Sequence, residues 1–203
     1  MTENICTITI DGKSVGLPVV EGTTGDRAID ISRLRELTGV TTLDPSLANT
    51  ASCRSAISWI DGENGRLLYR GIPIETLAEN KVSFVETAML LITGRLPTPA
   101  ERNDFSELLA RNSALHRNMD LHFNAFPPNS HPMAIMSAMI NAMSTHDRPK
   151  ITDEDSAIRN SAKLMSRVRT IAAASYKASV GEPAIYPRMD LKYVENFMHM
   201  MFS

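Results

Sequence analysis

The sequence predicts a mainly α-helical fold preceded by a small β-rich region, with residues 1–70 assigned to hairpins and 71–203 to the first part of a helical large domain. Three observations carry that prediction. Thr7-Ile8-Thr9-Ile10 alternates polar and apolar residues before Asp11-Gly12, a pair suited to the positive φ angles of a tight hairpin turn. Ser83-Phe84-Val85-Glu86 and Thr98-Pro99-Ala100-Glu101 both spell a capping box, in which the first and fourth side chains satisfy each other's free backbone N–H groups. From Pro132 onward, apolar and small residues recur at helical spacing.

Taken in order, the first hairpin is followed by Glu21 to Thr50, rich in Gly, Thr and Asp, with one short helix expected near Ile31 to Leu37. A second hairpin is expected over Ala56 to Tyr69. There Ile57-Ser58-Trp59-Ile60 and Arg66-Leu67-Leu68-Tyr69 flank Asp61-Gly62-Glu63-Asn64-Gly65. The Ser83 helix can close at Gly94, and the Thr98 helix carries proline at its first position, where the missing N–H costs nothing. A third long helix is predicted from Pro132 to about Met143. A fourth begins after Thr152, with Asp153, Glu154 and Asp155 at the positive end of its dipole, and runs towards Gly181. Its apolar positions Ile158, Leu164, Val168 and Ile171 form an approximate stripe. The last segment, Asp190 to Ser203, places Leu191, Val194, Met198 and Met201 at helical spacing, with Phe197 and Phe202 beside them. No cap or glycine stop follows Phe202, which predicts the front part of a larger enzyme.

Composition narrows the function. With 203 residues, 43% hydrophobic and 22% charged, the chain can bury one sizeable core, and a net charge of -2 provides no basic field for nucleic acid. The acidic start Met1-Thr2-Glu3 lacks the basic region of a signal peptide, and no apolar run is long enough to span a bilayer, so a cytoplasmic location is expected. Cys6 and Cys53 are too few and too isolated for a disulfide framework or a CxxC metal site.

The five histidines, His116, His122, His131, His146 and His199, show no metal spacing. His131 precedes Pro132 and suits a helix start. The chain holds no Gly-rich phosphate loop, no GxSxG elbow and no HExxH. The most unusual stretch is Pro132 to Met143, where Ala134, Ala138 and Ala142 alternate with Met133, Met136, Met139 and Met143. That pattern predicts a buried helix, either in the core or at a subunit interface. Lys163 and Arg167 lie four apart on one helix face, and Arg111 ends another helix. They make either a pocket for an anionic ligand or a solvated cationic face.

Several stretches taken together resemble the citrate synthase family, in the long-N-terminus form typical of Gram-negative bacteria. They run from Leu17-Pro18-Val19, Gly22-Thr23-Thr24-Gly25, Ile29-Asp30-Ile31 and Thr50-Ala51-Ser52-Cys53 to Ile60-Asp61-Gly62 and Leu67-Leu68-Tyr69-Arg70-Gly71-Ile72-Pro73-Ile74-Glu75. They continue with Ser130-His131-Pro132-Met133, Thr170-Ile171-Ala172-Ala173, Tyr186-Pro187-Arg188 and Asn196-Phe197-Met198-His199-Met200-Met201-Phe202.

The resemblance implies a helical large domain and the condensation of acetyl-CoA with oxaloacetate and water to citrate and CoA, with no cofactor and no metal. In the family a carboxylate takes a proton from the acetyl methyl, while one histidine stabilises the enol and another polarises the oxaloacetate carbonyl. The motifs holding these groups, and the arginines that clamp oxaloacetate, follow the last residue of this chain, so no catalytic residue is assigned. The expectation is an N-terminal fragment, inactive alone. The resemblance also implies a homo-oligomer, with helix 132–143 similar to a dimer-interface helix that would bind itself or full-length subunits. NADH enters as an allosteric inhibitor of the Gram-negative form. Arg111-Asn112-Ser113 stands where that form has Arg-His-Thr, with Lys163 and Arg167 at the later basic positions. A 2-methylcitrate synthase fragment, or a truncated protein that binds subunits or nucleotide without catalysis, are the alternatives.

Overall fold

A computed structural model describes residues 4–146 and 149–203. Met1 to Glu3, on which the signal-peptide reading rests, and Asp147 and Arg148 lie outside the described residues. The chain forms two compact units, Met1–Ser55 and Ala56–Ser203.

In the first unit, β1 (Ile5–Ile10) pairs antiparallel with β2 (Lys13–Glu21), and β3 (Arg27–Ile29) pairs with the far end of β2. The turn is the expected one: Asp11 has φ 50° and Gly12 φ 78°, both in the region a two-residue hairpin demands. Gly16 has a second constraint, because a Cβ there would lie 2.9 Å from the Ile5 side chain. Alternate residues Val15 and Leu17 of β2 are buried, as is Leu34 of the short helix α1 (Leu34–Thr38). That helix starts later than its sequence suggests. The Asp30 carboxylate accepts the Ser32 N–H at 2.9 Å, and this local turn competes with a helical first turn.

The second unit opens with β4 (Ser58–Asp61), β5 (Arg66–Tyr69) and β6 (Ile72–Pro73), an antiparallel sheet in sequence order. Asp61 holds the first reversal by accepting both the backbone N–H and the side-chain amide of Asn64. Helix α2 (Ile74–Glu79) carries no side-chain cap, so no capping residue marks its start. Helix α3 (Phe84–Thr93) has the full capping box and closes on Gly94 at φ 85°. Helix α4 (Pro99–Arg111) has the second box, between Thr98 and Glu101. Helix α5 (Arg117–Phe123) is capped by His116, whose Nδ1 accepts the Asn118 N–H. Helices α6 (Pro132–His146), α7 (Glu154–Ser179) and α8 (Tyr193–Phe202) complete the unit.

At 26 residues α7 is about 39 Å long, and α3, α4, α5, α6 and α8 all pack on it. Its buried positions are mostly small: Ala162, Ser166, Ala173, Ala174 and Ser175. Small residues let several helices approach one axis closely, which corrects the expected apolar stripe, since Leu164 is 50% exposed. One core joins Met119 and Phe123 of α5, Ile135, Met139 and Met143 of α6, and Ile171 and Ala174 of α7. A second joins Met89 of α3, Phe105 and Leu109 of α4, and Ala162 of α7.

Two helices carry exposed apolar residues as well as buried ones. Helix α6 is buried on one face only: Ile135, Met139 and Met143 point inward, whereas Met133 is 61% exposed and Ala134 and Ala138 lie open to solvent. In α8 the inward residues are Asn196 and Met200, so Val194, Met198 and Phe202 form an exposed apolar stripe. Asn196 is buried because it mimics a strand partner. Its carbonyl oxygen accepts the Arg188 N–H at 3.0 Å, and its amide donates to the Arg188 carbonyl. No helix among the described residues is long and apolar enough to cross a membrane.

Candidate functional site

Of the residues singled out as a basic site, Ser113 lies at the junction of α4 with α7. Helix α4 ends without a glycine, so its last carbonyls need other donors. Asn112 Nδ2 donates to the Leu108 carbonyl at 2.7 Å, and Ser166 Oγ of α7 donates to the Leu109 carbonyl at 2.6 Å. Ser113 Oγ donates to the Ala110 carbonyl at 2.6 Å, and Thr170 Oγ1 of α7 donates to the Ser113 carbonyl at 2.7 Å. Asn112 and Ser113 thereby act as a side-chain terminus for α4, and Ser113 is only 2% exposed. Arg111 points outward and pairs with Glu107 one turn earlier. Lys163 and Arg167 are half-buried and lie on the face of α7 that carries Thr170. The structure therefore places Ser113 against α7, and Arg111 in an ion pair on the surface of α4.

A cavity of about 660 Å³ opens elsewhere in the second unit, between the starts of α3 and α8 and the bodies of α4 and α7. Phe84, Leu109 and Leu191 give it apolar walls, with Arg102, Arg169 and Tyr193 among its polar ones. Arg169 is 5% exposed. Its Nη1 donates to the Tyr193 carbonyl at 2.9 Å, and the guanidinium lies 4.3 Å over the Tyr193 ring. Burial pushes the pKa of Arg169 down from the usual arginine value, and burial likewise raises that of the Tyr193 phenol. Tyr193 is fixed in turn, donating its hydroxyl to the Met165 carbonyl at 3.0 Å and stacking on Phe84 with ring centres 5.0 Å apart. Sequence reasoning passed over Arg169. The signal was present: it stands four and seven residues after Met165 and Ala162, so a cation occupies the apolar face of α7.

A second cavity, of about 410 Å³, is lined by Asp120, Phe123, Phe126, Ala178 and Glu182. None of the five histidines lines either cavity. His131 Nδ1 accepts the Met133 N–H at 3.2 Å, His122 bonds the Asn118 carbonyl, His199 bonds Ser203, and His146 stacks on His116. Among the described residues no group of three or more His, Cys, Asp or Glu could hold a metal ion.

The fold and site define a helical assembly around one long axis, with hairpins before it and an arginine-bearing cavity beside it. The family model for the citrate synthase C-terminal domain matches residues 46–203. Citrate synthase 1 of Mycobacterium tuberculosis is 38% identical over 204 aligned residues, which take in 100% of this chain and 47% of that relative. Among solved structures, citrate synthase from Pyrobaculum aerophilum matches 98% of this chain and 47% of its own, with a TM-score of 0.68 at 28% identity. That from Thermotoga maritima matches 79% and 42%, with a TM-score of 0.66 at 35% identity. A Thermoplasma acidophilum citrate synthase, at 21% identity and a TM-score of 0.75, shares the fold. The chain belongs to the citrate synthase family, and it spans about half the length of the relatives it matches.

Proposed function

We propose that this chain serves citrate synthesis from acetyl-CoA and oxaloacetate as the scaffold part of a citrate synthase, with the reacting groups supplied from outside residues 1–203. The observation that carries the reading is the 38% identity to a citrate synthase sustained over the whole chain. The division of labour is supported by the cavities. Condensation needs an acid or base poised on the acetyl methyl and a donor poised on the developing enolate. None of the five histidines lines either of the two cavities described, and each has a structural partner. Self-association, or association with full-length subunits, belongs to the same reading. Its support is the exposed face of α6 with Met133, Ala134 and Ala138.

A free-thiol assay for CoA release tests this. The purified chain gives no turnover with acetyl-CoA and oxaloacetate. Joined in frame to the remaining part of the Mycobacterium tuberculosis relative, it gives a folded chimera that releases CoA faster from acetyl-CoA than from propionyl-CoA. A folded chimera that turns over neither substrate would overturn the assignment. A preference for propionyl-CoA would move it to 2-methylcitrate synthesis, and turnover by the chain alone would refute the scaffold role.

A further inference from the structure

The reversal between β4 and β5 holds the sequence's one Asn-Gly pair, Asn64-Gly65. An asparagine followed by glycine is chemically labile. The backbone nitrogen of the next residue can attack the side-chain amide carbon, and only glycine leaves that nitrogen uncrowded by a neighbouring Cβ. Each of the other asparagines is followed by a residue with a side chain. Asn64 and Gly65 are both exposed, and a Cβ at Gly65 would meet no atom within 4 Å, so the approach to the glycine nitrogen is open to water.

The turn nevertheless holds the amide away from that nitrogen. Asn64 Nδ2 donates to Oδ2 of Asp61 at 2.7 Å, and the Asn64 backbone N–H donates to Oδ1 at 3.1 Å. One carboxylate therefore grips residue 64 twice from its N-terminal side, whereas the attacking nitrogen lies on its C-terminal side. These bonds, the side-chain one first, hold the Asp61 carboxyl below the usual carboxylate range, so the grip is charged at neutral pH. For a ring to close, the amide must leave Asp61 and swing towards Gly65.

We propose that Asn64 is a site of spontaneous covalent modification, deamidation through a succinimide formed with Gly65, and that the Asp61 carboxylate gates it by keeping the amide out of reach. The Gly65 nitrogen attacks Cγ of Asn64. A C–N bond forms, the bond from Cγ to Nδ2 breaks, and the proton of the Gly65 N–H passes through solvent to the nitrogen that leaves as ammonia. Water then opens the imide at either carbonyl, giving aspartate, or isoaspartate with the main chain routed through the side chain. Nothing is oxidised or reduced. The product cannot restore the turn, because a carboxylate that only accepts replaces the amide donor 2.7 Å from Asp61, and the two like charges repel. Strands β4 and β5 then lose the side-chain bond that fixes their reversal, in the sheet that leads into Arg70, whose guanidinium donates to the Leu91 carbonyl of α3 at 2.6 Å.

Mass spectrometry of the tryptic peptide of residues 55–66, in which Asn64 is the sole amide side chain, tests this after incubation of the purified chain at mildly alkaline pH. Asn64 gains the mass of amide-to-acid exchange slowly in the unaltered folded chain. In Asp61→Ala it does so at least about ten-fold faster, the change expected when a charge-assisted hydrogen bond no longer has to break first. The same acceleration appears when the unaltered chain is incubated in denaturing urea, and that comparison decides the matter if circular dichroism shows Asp61→Ala to be unfolded. Equal rates in the folded and the urea-unfolded chain would overturn the proposal, as would a folded Asp61→Ala that converts no faster than the unaltered chain. Absence of conversion at Asn64 in urea refutes the site.

Discussion

Replacing Ser166 by alanine tests the account of how α4 ends. The Ser166 hydroxyl, fully buried, donates at 2.6 Å to the Leu109 carbonyl, which is among the last four of α4 and lacks an intrahelical N–H. Alanine keeps the helix propensity of α7 and removes only one oxygen, so the chief change is a buried carbonyl left without a donor. That costs about 1–3 kcal/mol, taken as ~2 kcal/mol. In a unit of about 150 residues each kcal/mol moves the melting midpoint by about 2–4 °C, so the expected fall is about 4–8 °C. Thermal melts followed by far-UV circular dichroism, with urea unfolding to check that the m-value is unchanged, give the number. Ser144→Ala is the control. Its hydroxyl is exposed and bonds a carbonyl of its own helix, so the change stays within about 0.5 kcal/mol. Thr170→Val should couple to Ser166→Ala, because the Thr170 hydroxyl donates to the Ser113 carbonyl at the same end of α4. A Ser166→Ala variant that melts with the Ser144→Ala control would refute the view that α7 side chains terminate α4.

Three other outcomes are expected. Ser175 is 1% exposed with its hydroxyl unpartnered, so Ser175→Ala should raise stability by about 1 kcal/mol, and a loss in urea unfolding would contradict this. Glu101 is held at about 2, below its ordinary 4.5, first by Arg95 and then by the Thr98 N–H and hydroxyl. The folded state thus favours the charged form. Its contribution is complete above about pH 4.5 and is lost as pH falls towards about 2, and Glu101→Gln should flatten that part of a stability-against-pH curve. Finally, Met133 at 61%, Val194 at 54%, Met198 at 50% and Phe202 at 58% exposure expose apolar surface on α6 and α8, so light scattering should give a mass above the monomer, reduced in a Met133→Lys, Met198→Lys variant. A monodisperse unaltered monomer would count against the association.

Local chemistry made most elements legible and left their orientation obscure. Both capping boxes, the Asp11-Gly12 turn and the Gly94 stop follow from interactions between near neighbours in sequence, and the structure has each of them. The structure also has Asp153 as the cap of α7, with its carboxylate on the Ser156 N–H at 2.7 Å. Helices α2 and α5 escaped notice because α2 has no capping side chain and α5 is capped by a histidine, a residue rarely read as a helix start. Which face of a helix turns inward depends on partners farther away in sequence. On α8 the apolar positions Val194 and Met198 face outward, and Asn196 takes an inward place because it satisfies two backbone groups of Arg188 at once. A pattern of hydrophobicity cannot reveal that a polar side chain will be needed to close a loop eight residues away.

The same reasoning separates the two arginine readings. Arg111, Lys163 and Arg167 attracted attention as cations at regular spacing, and spacing alone selects surface charge as readily as a site. In the structure Arg111 is neutralised by Glu107 in solvent, where such a pair contributes little, and Asn112 and Ser113 are occupied in ending a helix. Arg169 carried the stronger signal because it violates a pattern rather than completing one. A guanidinium four residues after Met165 and seven after Ala162 must enter the apolar layer between α7 and its neighbours, where its cost is highest. Phe84 and Tyr193 shape that place around it, with the Tyr193 carbonyl satisfying one donor and the ring covering one face. What is left are two donors, Nε and Nη2, buried without an acceptor, so the cation is held by one carbonyl and one ring face at a high desolvation cost.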